Sequence, residues 1–395
     1  MRNGNIKANS ENIRKDKNVN NVNNIKEKSI IKLLVWIIIS VFMIFQVIQL
    51  INYTLGNIEK EDAFLYNLVD KVVSTVLPKL NVVTEENHSV SLATLGDIYV
   101  TQNVLNGSKT SSSYDFVTGT EDVQKQLQKF DIVLASLSTP VSNKGTYTSG
   151  SKYTAPKEIL ELLKKLNIST VATASYHAFD KSKSGISSTI SLLKENNINQ
   201  VGISNNESGN KPVIINKNNI SIGVLSYTTS SNEKLGKNED YLLNIIDEEK
   251  VKEDINYLNN NKVDFIIAYL NVKNENVELP NANQKSYTEM LFNSGVNVVI
   301  GTGSRVIQET QEDLIEINNK SHHVYVAYSL GDFIGSYEKE ENRENLIANF
   351  EFSKKVVKNK KDEVIEEVKD MKVNEPIKIK VNVTKSYATT MSIVK

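Results

Sequence analysis

The sequence predicts a layered α/β domain with a mixed sheet, preceded by one transmembrane helix. Three observations carry that expectation. An apolar run fills residues 30–51. From about residue 89, short apolar β-like runs alternate with segments of helical period. Hairpin patterns then enter late in the chain, and repeated β-α-β units with hairpins added make a layered fold.

Composition narrows the function classes. The 395 residues carry 46 Lys and Arg against 47 Asp and Glu, a formal net charge of -1. Nothing in that balance suggests a nucleic-acid binder. There are no cysteines, hence no disulfide framework, thiolate metal site or Cys nucleophile. With 4 histidines, a His-rich metal site is hard to build.

The N-terminal segments follow from local chemistry. Residues 1–29 are polar and rich in Asn and Lys, with too little apolar surface to offset chain entropy, and predict a disordered tail. The run from Ile30 to Ile51 approaches the ~20 apolar residues needed to cross a bilayer. After Lys32, its polar members Ser40, Gln46 and Gln49 are uncharged. Arg14, Lys15, Lys17, Lys26, Lys28 and Lys32 precede the core of the span, whereas Glu59, Glu61 and Asp62 follow it. The positive-inside rule therefore expects a single-pass cell-membrane protein with a cytoplasmic N-terminus and its C-terminal domain extracellular. The run exceeds the h-region of a signal peptide, and no Ala-x-Ala site follows. Within a stalk segment 52–87, Ile58, Phe64, Leu65, Leu68, Val69, Val72, Val73 and Val76 fall near a 3.6-residue period. They predict an amphipathic helix that Pro78 stops.

Residues 88–353 carry the α/β pattern. Strands are expected at 90–95, 131–137, 168–174, 198–203, 263–270, 296–300 and 346–352. Hairpins are expected at 213–226 and 314–329, and helices at 121–129, 156–166, 185–196, 247–260 and 284–293. Residues 354–395 read as a charged C-terminal extension ending in an alternating strand, 377–383.

The polar motifs cluster at expected strand ends, where open α/β sheets present ligand sites. Gly96-Asp97 follows the first strand. His177-Ala-Phe-Asp180 follows the run Val171-Ala-Thr-Ala-Ser-Tyr, placing a residue suited to proton transfer near neutral pH beside a carboxylate. Gly301-Thr-Gly-Ser-Arg305 offers a glycine-bearing turn whose N–H groups suit an anion, without a Walker or Rossmann fingerprint. Gly331-Asp332 follows the last strong strand. His322-His323, in an expected hairpin loop, reads as a solvated pair, because adjacent strand residues point opposite ways.

In order, Gly96-Asp97-Ile98, Ser136-Leu-Ser138-Thr-Pro140, Ala174-Ser-Tyr-His177-Ala-Phe-Asp180, Pro280…Gln284, Val298-Val-Ile-Gly301…Arg305-Val-Ile-Gln308 and Tyr328-Ser-Leu-Gly331-Asp-Phe333 resemble the CapA (poly-γ-glutamate capsule biosynthesis) family over residues 89–335. The resemblance implies a metallophosphatase-like layered α/β sandwich, often anchored by one N-terminal membrane helix. It also implies work in synthesis, export or anchoring of an anionic polyglutamate capsule.

The departures fall on the expected metal ligands. Ser136-Leu-Ser138 stands where the family has Asn-Leu-Glu, and Ser175-Tyr-His177 where it has Asn-Asn-His. Asn271-Val-Lys-Asn-Glu275 replaces His-Trp-Gly-x-Glu. Gly301-Thr-Gly-Ser-Arg305 replaces Gly-His-His-Pro-His, and Gly331-Asp-Phe333 replaces Gly-Asn-Phe. Asp97, His177, Asp180 and Glu275 survive.

A hydrolytic centre needs several converging ligands, so the expectation is no metal and no cofactor. Asp97, His177 and Asp180 are the catalytic candidates. Arg305, with Gly301 and Gly303, is expected to bind an anion, because a guanidinium suits carboxylate or phosphate. The expected partner is an anionic surface polymer or its membrane synthase complex. Two other functions stay open: a hydrolase or transferase using an Asp97–His177 pair on an amide or phosphoester, and a non-catalytic envelope scaffold binding protein partners.

Overall fold

In the computed structural model, residues 84–394 are described, apart from 146, 149, 360 and 361. The expected tail, transmembrane helix and stalk helix lie outside the described residues. Among the described residues, no helix is long and apolar enough to cross a membrane.

Two mixed sheets form the core. The first contains β1 (Thr84–Ile98), β2 (Ile132–Leu137), β5 (Ile168–Ala172), β6 (Asn199–Val201), β14 (Glu344–Lys358), β15 (Val364–Val383) and β16 (Thr389–Ile393). Its order is β16-β15-β14-β1-β2-β5-β6, and the short β13 (Asp332–Ile334) also pairs with β1. The second contains β7 (Val213–Lys217), β8 (Ile220–Thr228), β9 (Phe265–Asn271), β10 (Val298–Thr302), β11 (Thr310–Ile317) and β12 (Lys320–Ala327). Its order is β11-β12-β10-β9-β8-β7. Strands β1, β2, β5 and β6 run parallel, as do β8, β9, β10 and β12, with antiparallel strands at the flanks. A two-residue pair, β3 (Val141–Ser142) and β4 (Ala155–Pro156), stands apart.

Side-chain alternation explains why the sheets stack. Val90, Leu92, Ile132 and Leu134 from the first sheet meet Ile222, Val224, Ile267, Tyr269, Val298 and Ile300 from the second in one apolar layer. Their neighbours Ala93, Leu95, Val133 and Ala135 face the other way, as a two-residue period requires. They pack under α2 (Glu121–Leu127), α3 (Ile159–Lys165) and α4 (Ser182–Glu195). On the far side, Ile266, Ala268 and Leu270 pack against α5 (Glu248–Asn260) and α6 (Ala282–Asn293). The result is a helix–sheet–sheet–helix sandwich. Its central strands are buried on both faces and therefore read as continuous apolar runs.

Three local readings change. Pro156 lies in β4, and its helix starts only at Ile159. The first short helix, α1 (Gln102–Ser108), gave no periodic signal and is capped by Thr101, which accepts from the Val104 N–H. Asn281 and Gln284 form a capping box that starts α6 two residues before Gln284.

The residues after 353 form no separate extension. β14 continues to Lys358, β15 pairs along it, and β16 pairs with the end of β15. The charges that looked solvated pair across strands. Lys355 lies 3.1 Å from Glu85, Lys358 lies 2.8 Å from Glu86, and Lys354 and Lys369 each lie 2.9 Å from half-buried Asp264.

His322 and His323 lie within β12 and not in its turn. They have separate partners, Val296 O at 3.2 Å and Glu312 at 2.7 Å.

The parallel pairing of β1 with β13 sets Asp97 opposite Asp332. The approach depends on Gly96, where a Cβ would sit 1.9 Å from Gly331 O. We expect Gly96→Ala to force these segments apart and to destabilise the full-length chain by about 1–3 kcal/mol or more. A thermal-unfolding midpoint equal to wild type would refute this role for the glycine.

Candidate functional site

The polar ends of parallel strands from both sheets converge on one cavity. It is lined by Asp97 from β1, Ser138 after β2, Ser175, Tyr176 and His177 after β5, and Asn271, Lys273 and Glu275 at the end of β9. Gly303 and Arg305 after β10, Asp332 at the start of β13, and Tyr99 complete it. The side chains leave about 30 Å³ of free volume, room for one or two waters.

Asp97 is buried, with 4% of its surface exposed. It accepts hydrogen bonds from Ser136 Oγ at 2.7 Å, from Ser138 Oγ, and from Gly303 N–H at 2.8 Å. Burial raises its pKa above the ordinary range, against the pull of these donors and of Arg305. Gly303 has φ +92°, and a Cβ there would approach Val272 O to 2.6 Å. Only glycine brings this N–H to Asp97 without strain.

His177 is held at both ring nitrogens. Nδ1 lies 2.8 Å from Asp180 Oδ2, and Nε2 lies 3.0 Å from Tyr99 Oη. Asp180 also accepts from the Tyr153 N–H at 2.7 Å and from Asn232 Nδ2 at 2.9 Å. An acceptor-only carboxylate so placed assigns the proton to Nδ1, leaving Nε2 to accept from the tyrosine hydroxyl. Tyr99, Tyr153 and Tyr176 box the imidazole, with ring centroids 5.3, 4.6 and 4.9 Å away. Burial, with Tyr153 alongside, pushes the Tyr99 hydroxyl above its usual range.

Arg305 reaches into the cavity from a backbone with φ +69°, a conformation that costs a non-glycine residue about 1–3 kcal/mol. Its carbonyl accepts from Asn342 Nδ2 at 3.2 Å. Nε lies 3.2 Å from Asp332 Oδ2, Nη1 lies 3.8 Å from Glu275 Oε2, and Nη2 donates to Ser336 Oγ. The guanidinium carbon sits 5.3 Å from the centre of the Tyr99 ring. Burial opposes the Arg305 charge, yet Asp332, Tyr99 and Glu275 outweigh it and hold the group above its usual range. Asp332 itself is pushed up to about 8, by burial first and by Asp97, against the pull of Arg305.

These partners correct two expectations. His177 is oriented by Asp180 and not by Asp97, whose hydrogen bonds go to Ser136, Ser138 and Gly303. The 301–305 turn is not an open anion cradle. The Gly303 N–H is given to Asp97, Gly301 is paired within β10 opposite Leu270, and two carboxylates already face the Arg305 charge.

The donor set does not fit a divalent metal of the kind the family resemblance implies. Asp97 accepts three hydrogen bonds from the chain's own donors, His177 is bonded at both ring nitrogens, and a guanidinium lies between Asp332 and Glu275. Among the described residues, no three of His, Cys, Asp and Glu group to hold an ion.

Sequence reasoning singled out Asp97, His177, Asp180 and Arg305, named Asn271 only within a substituted stretch, and missed Tyr99, Tyr153 and Asn232. Asn271 accepts from the Tyr176 N–H at 2.9 Å and donates to Thr302 Oγ1 at 2.9 Å, tying loops from both sheets. The position of Tyr99, two residues past Asp97 at a strand end, was the available signal.

A pH test follows from Asp332. Its folded pKa, about 8, lies far above the ~3.9 of an unfolded Asp. The folded state therefore holds an extra proton between these values. The associated stability is full below the unfolded pKa and is lost as pH rises through the folded one. Denaturant titrations of the full-length chain should show wild type losing stability relative to Asp332→Asn from pH 5 to 8, with a constant difference above that. A pH-independent difference would contradict the assignment.

A model of the family "Bacterial capsule synthesis protein PGA_cap" matches residues 91–337. "Capsule biosynthesis protein CapA" of Bacillus anthracis is 23% identical over 270 residues, covering 63% of this chain and 60% of that protein. The chain thus spans less than two thirds of that relative. Among solved structures, a 5'-nucleotidase precursor from Thermus thermophilus aligns with TM-score 0.40 and 10% identity, over 72% of this chain and 54% of that one. The Thermus thermophilus sulfate thiohydrolase SoxB aligns with TM-score 0.37 and 7% identity, over 71% and 56%. Likenesses of that size carry no argument about the site. The sequence match covers the strand ends that build the cavity, and the chain belongs to the bacterial capsule synthesis (PGA_cap, CapA-type) family.

Proposed function

We propose that this protein acts in the synthesis, export or anchoring of an anionic, polyglutamate-type surface polymer, without a hydrolytic metal centre. In this reading residues 30–51 anchor it in the cell membrane and the sandwich lies outside, next to the polymer or its synthase complex. Family membership supports the capsule role. The metal-free part rests on one observation: the chain's own groups satisfy Asp97 and His177 and pair with Asp332. Lys273 is exposed, with its ammonium 4.0 Å from the centre of the Tyr176 ring. With Arg305 it is one of two cations lining the cavity, and in this reading it contacts the anionic chain.

Two measurements test this on the full-length protein in detergent. Elemental analysis should find far less than one Mn, Fe or Zn per chain, and a stoichiometric metal would overturn the metal-free reading. Immobilised protein should retain poly-γ-glutamate at low salt, several-fold less after Lys273→Glu. Absence of retention by wild type would remove the polymer-binding reading and leave a scaffold for protein partners.

A second reading keeps an acid–base role for His177, with Asp180 as its partner. The continuous chain from Tyr99 Oη through His177 to Asp180 favours it. Activity on polyglutamate or a model phosphoester should then fall at least a hundredfold in His177→Ala. Equal activity in variant and wild type ends this reading.

A further inference from the structure

The strand-end cavity has room for little more than water, so a polymer can touch it only at its rim. A larger opening lies at the other end of the sandwich. It is a cleft of about 480 Å³, lined by the β7–β8 turn, by Lys262 after α5, by Asp264 before β9 and by Lys354 of β14. Asp264 precedes β9, and Asn271 at the far end of that strand lines the cavity. The strand between them spans about 23 Å.

The cleft is organised by Asp264, whose side chain is 2% exposed. Its Oδ2 accepts from the Ser221 N–H at 2.8 Å, and Lys354 and Lys369 both approach its Oδ1 to 2.9 Å. Glu367 lies 3.6 Å from the first ammonium and 3.1 Å from the second. Two lysines are thereby fixed in place, with two carboxylates to balance them. Lys217 and Lys262 add further positive charge at the exposed rim. Asp131 offsets part of the Lys217 charge, and Lys262 makes no ion pair among the described residues. The turn that carries Lys217 is itself rigid. Asn218 and Asn219 have φ +50° and +60°, as a tight two-residue hairpin turn requires, and Asn218 Nδ2 donates to Ser89 O at 3.1 Å. A surplus of fixed positive charge in a concave wall concentrates anions.

We infer that this cleft is a second anion site, which takes successive carboxylates of an extended polyanion. Lys354 is recessed, with 18% of its side chain exposed, and a narrow chain that enters the cleft reaches it where a flat layer of lipid headgroups does not. Ammonium groups are point charges that pair with a carboxylate without the fixed fork of a guanidinium. That suits a repeating ligand bound in many equivalent registers. Together with Lys273 the cleft gives the domain two contact regions, and two attachments retain a polymer better than either alone. The inference rests on the polymer-binding reading of the function.

Fluorescence anisotropy of labelled poly-γ-glutamate, titrated with the full-length chain in non-ionic detergent at low salt, tests it. Lys217→Gln combined with Lys262→Gln should weaken binding at least fivefold, whereas Lys217→Arg combined with Lys262→Arg should bind as wild type does. Lys144→Gln combined with Lys385→Gln removes the same charge from exposed positions outside both sites and should also leave binding unchanged. The inference falls if the Lys217 and Lys262 glutamine variant binds as wild type does. It falls too if the Lys144 and Lys385 variant loses as much, since net charge alone would then explain the loss. Dihexanoyl phosphatidylglycerol at equal charge concentration should displace little of the polymer. Full displacement would assign the cleft to lipid headgroups and overturn the polymer assignment. Absence of binding by wild type would remove the polymer-binding reading and this inference with it, an outcome distinct from equal binding by variant and wild type.

Discussion

The close parallel approach of β13 to β1 is the constraint on which the site depends. Gly96 lets the two segments touch, and the register then places Asp97 beside Asp332 in a buried position. Two adjacent carboxylates in a low-dielectric interior cannot both carry charge without compensation. The surrounding side chains follow from that requirement. Ser136, Ser138 and the Gly303 N–H satisfy one carboxylate, while Arg305 faces the other.

The two halves of the cavity use different solutions. On the Arg305 side the chain supplies a permanent charge, matched by carboxylates from neighbouring loops. On the His177 side a tyrosine hydroxyl, an imidazole and a carboxylate are hydrogen-bonded in series. The network is anchored by Asn232 and the Tyr153 backbone, so the imidazole is fixed at both nitrogens. Little volume remains.

Much of the architecture was legible in sequence because central strands buried on both faces leave runs such as Ile132–Leu137 and Phe265–Asn271. The long antiparallel ribbon at the C-terminus was legible only in part: 346–352 and 377–383 read as strands, but their full length and pairing did not. Its strands carry Lys and Glu on exposed faces, and such residues look solvated until the partner strand is known. The helix Gln102–Ser108 was also missed, because its buried residues, Val104 and Leu105, are adjacent and give no helical repeat. In the site, strand-end position identified Asp97, His177, Asp180 and Arg305. Tyr99, Asn232 and Asn271 escaped because their roles come from partners 78, 52 and 95 residues away.

The sequence by itself determined the α/β class, the family and the strand-end positions of Asp97, His177, Asp180 and Arg305, since these depend on local period and residue identity. Only the tertiary structure decided which charge faces which. Arg305 read in isolation is an anion ligand; placed between Asp332 and Glu275 it is their counter-ion. Asp97 and His177 read as a pair, yet each has its own partners. The reason is physical: hydrogen bonds and ion pairs act over about 3–4 Å, and distances between strand ends are set by the packing of two sheets.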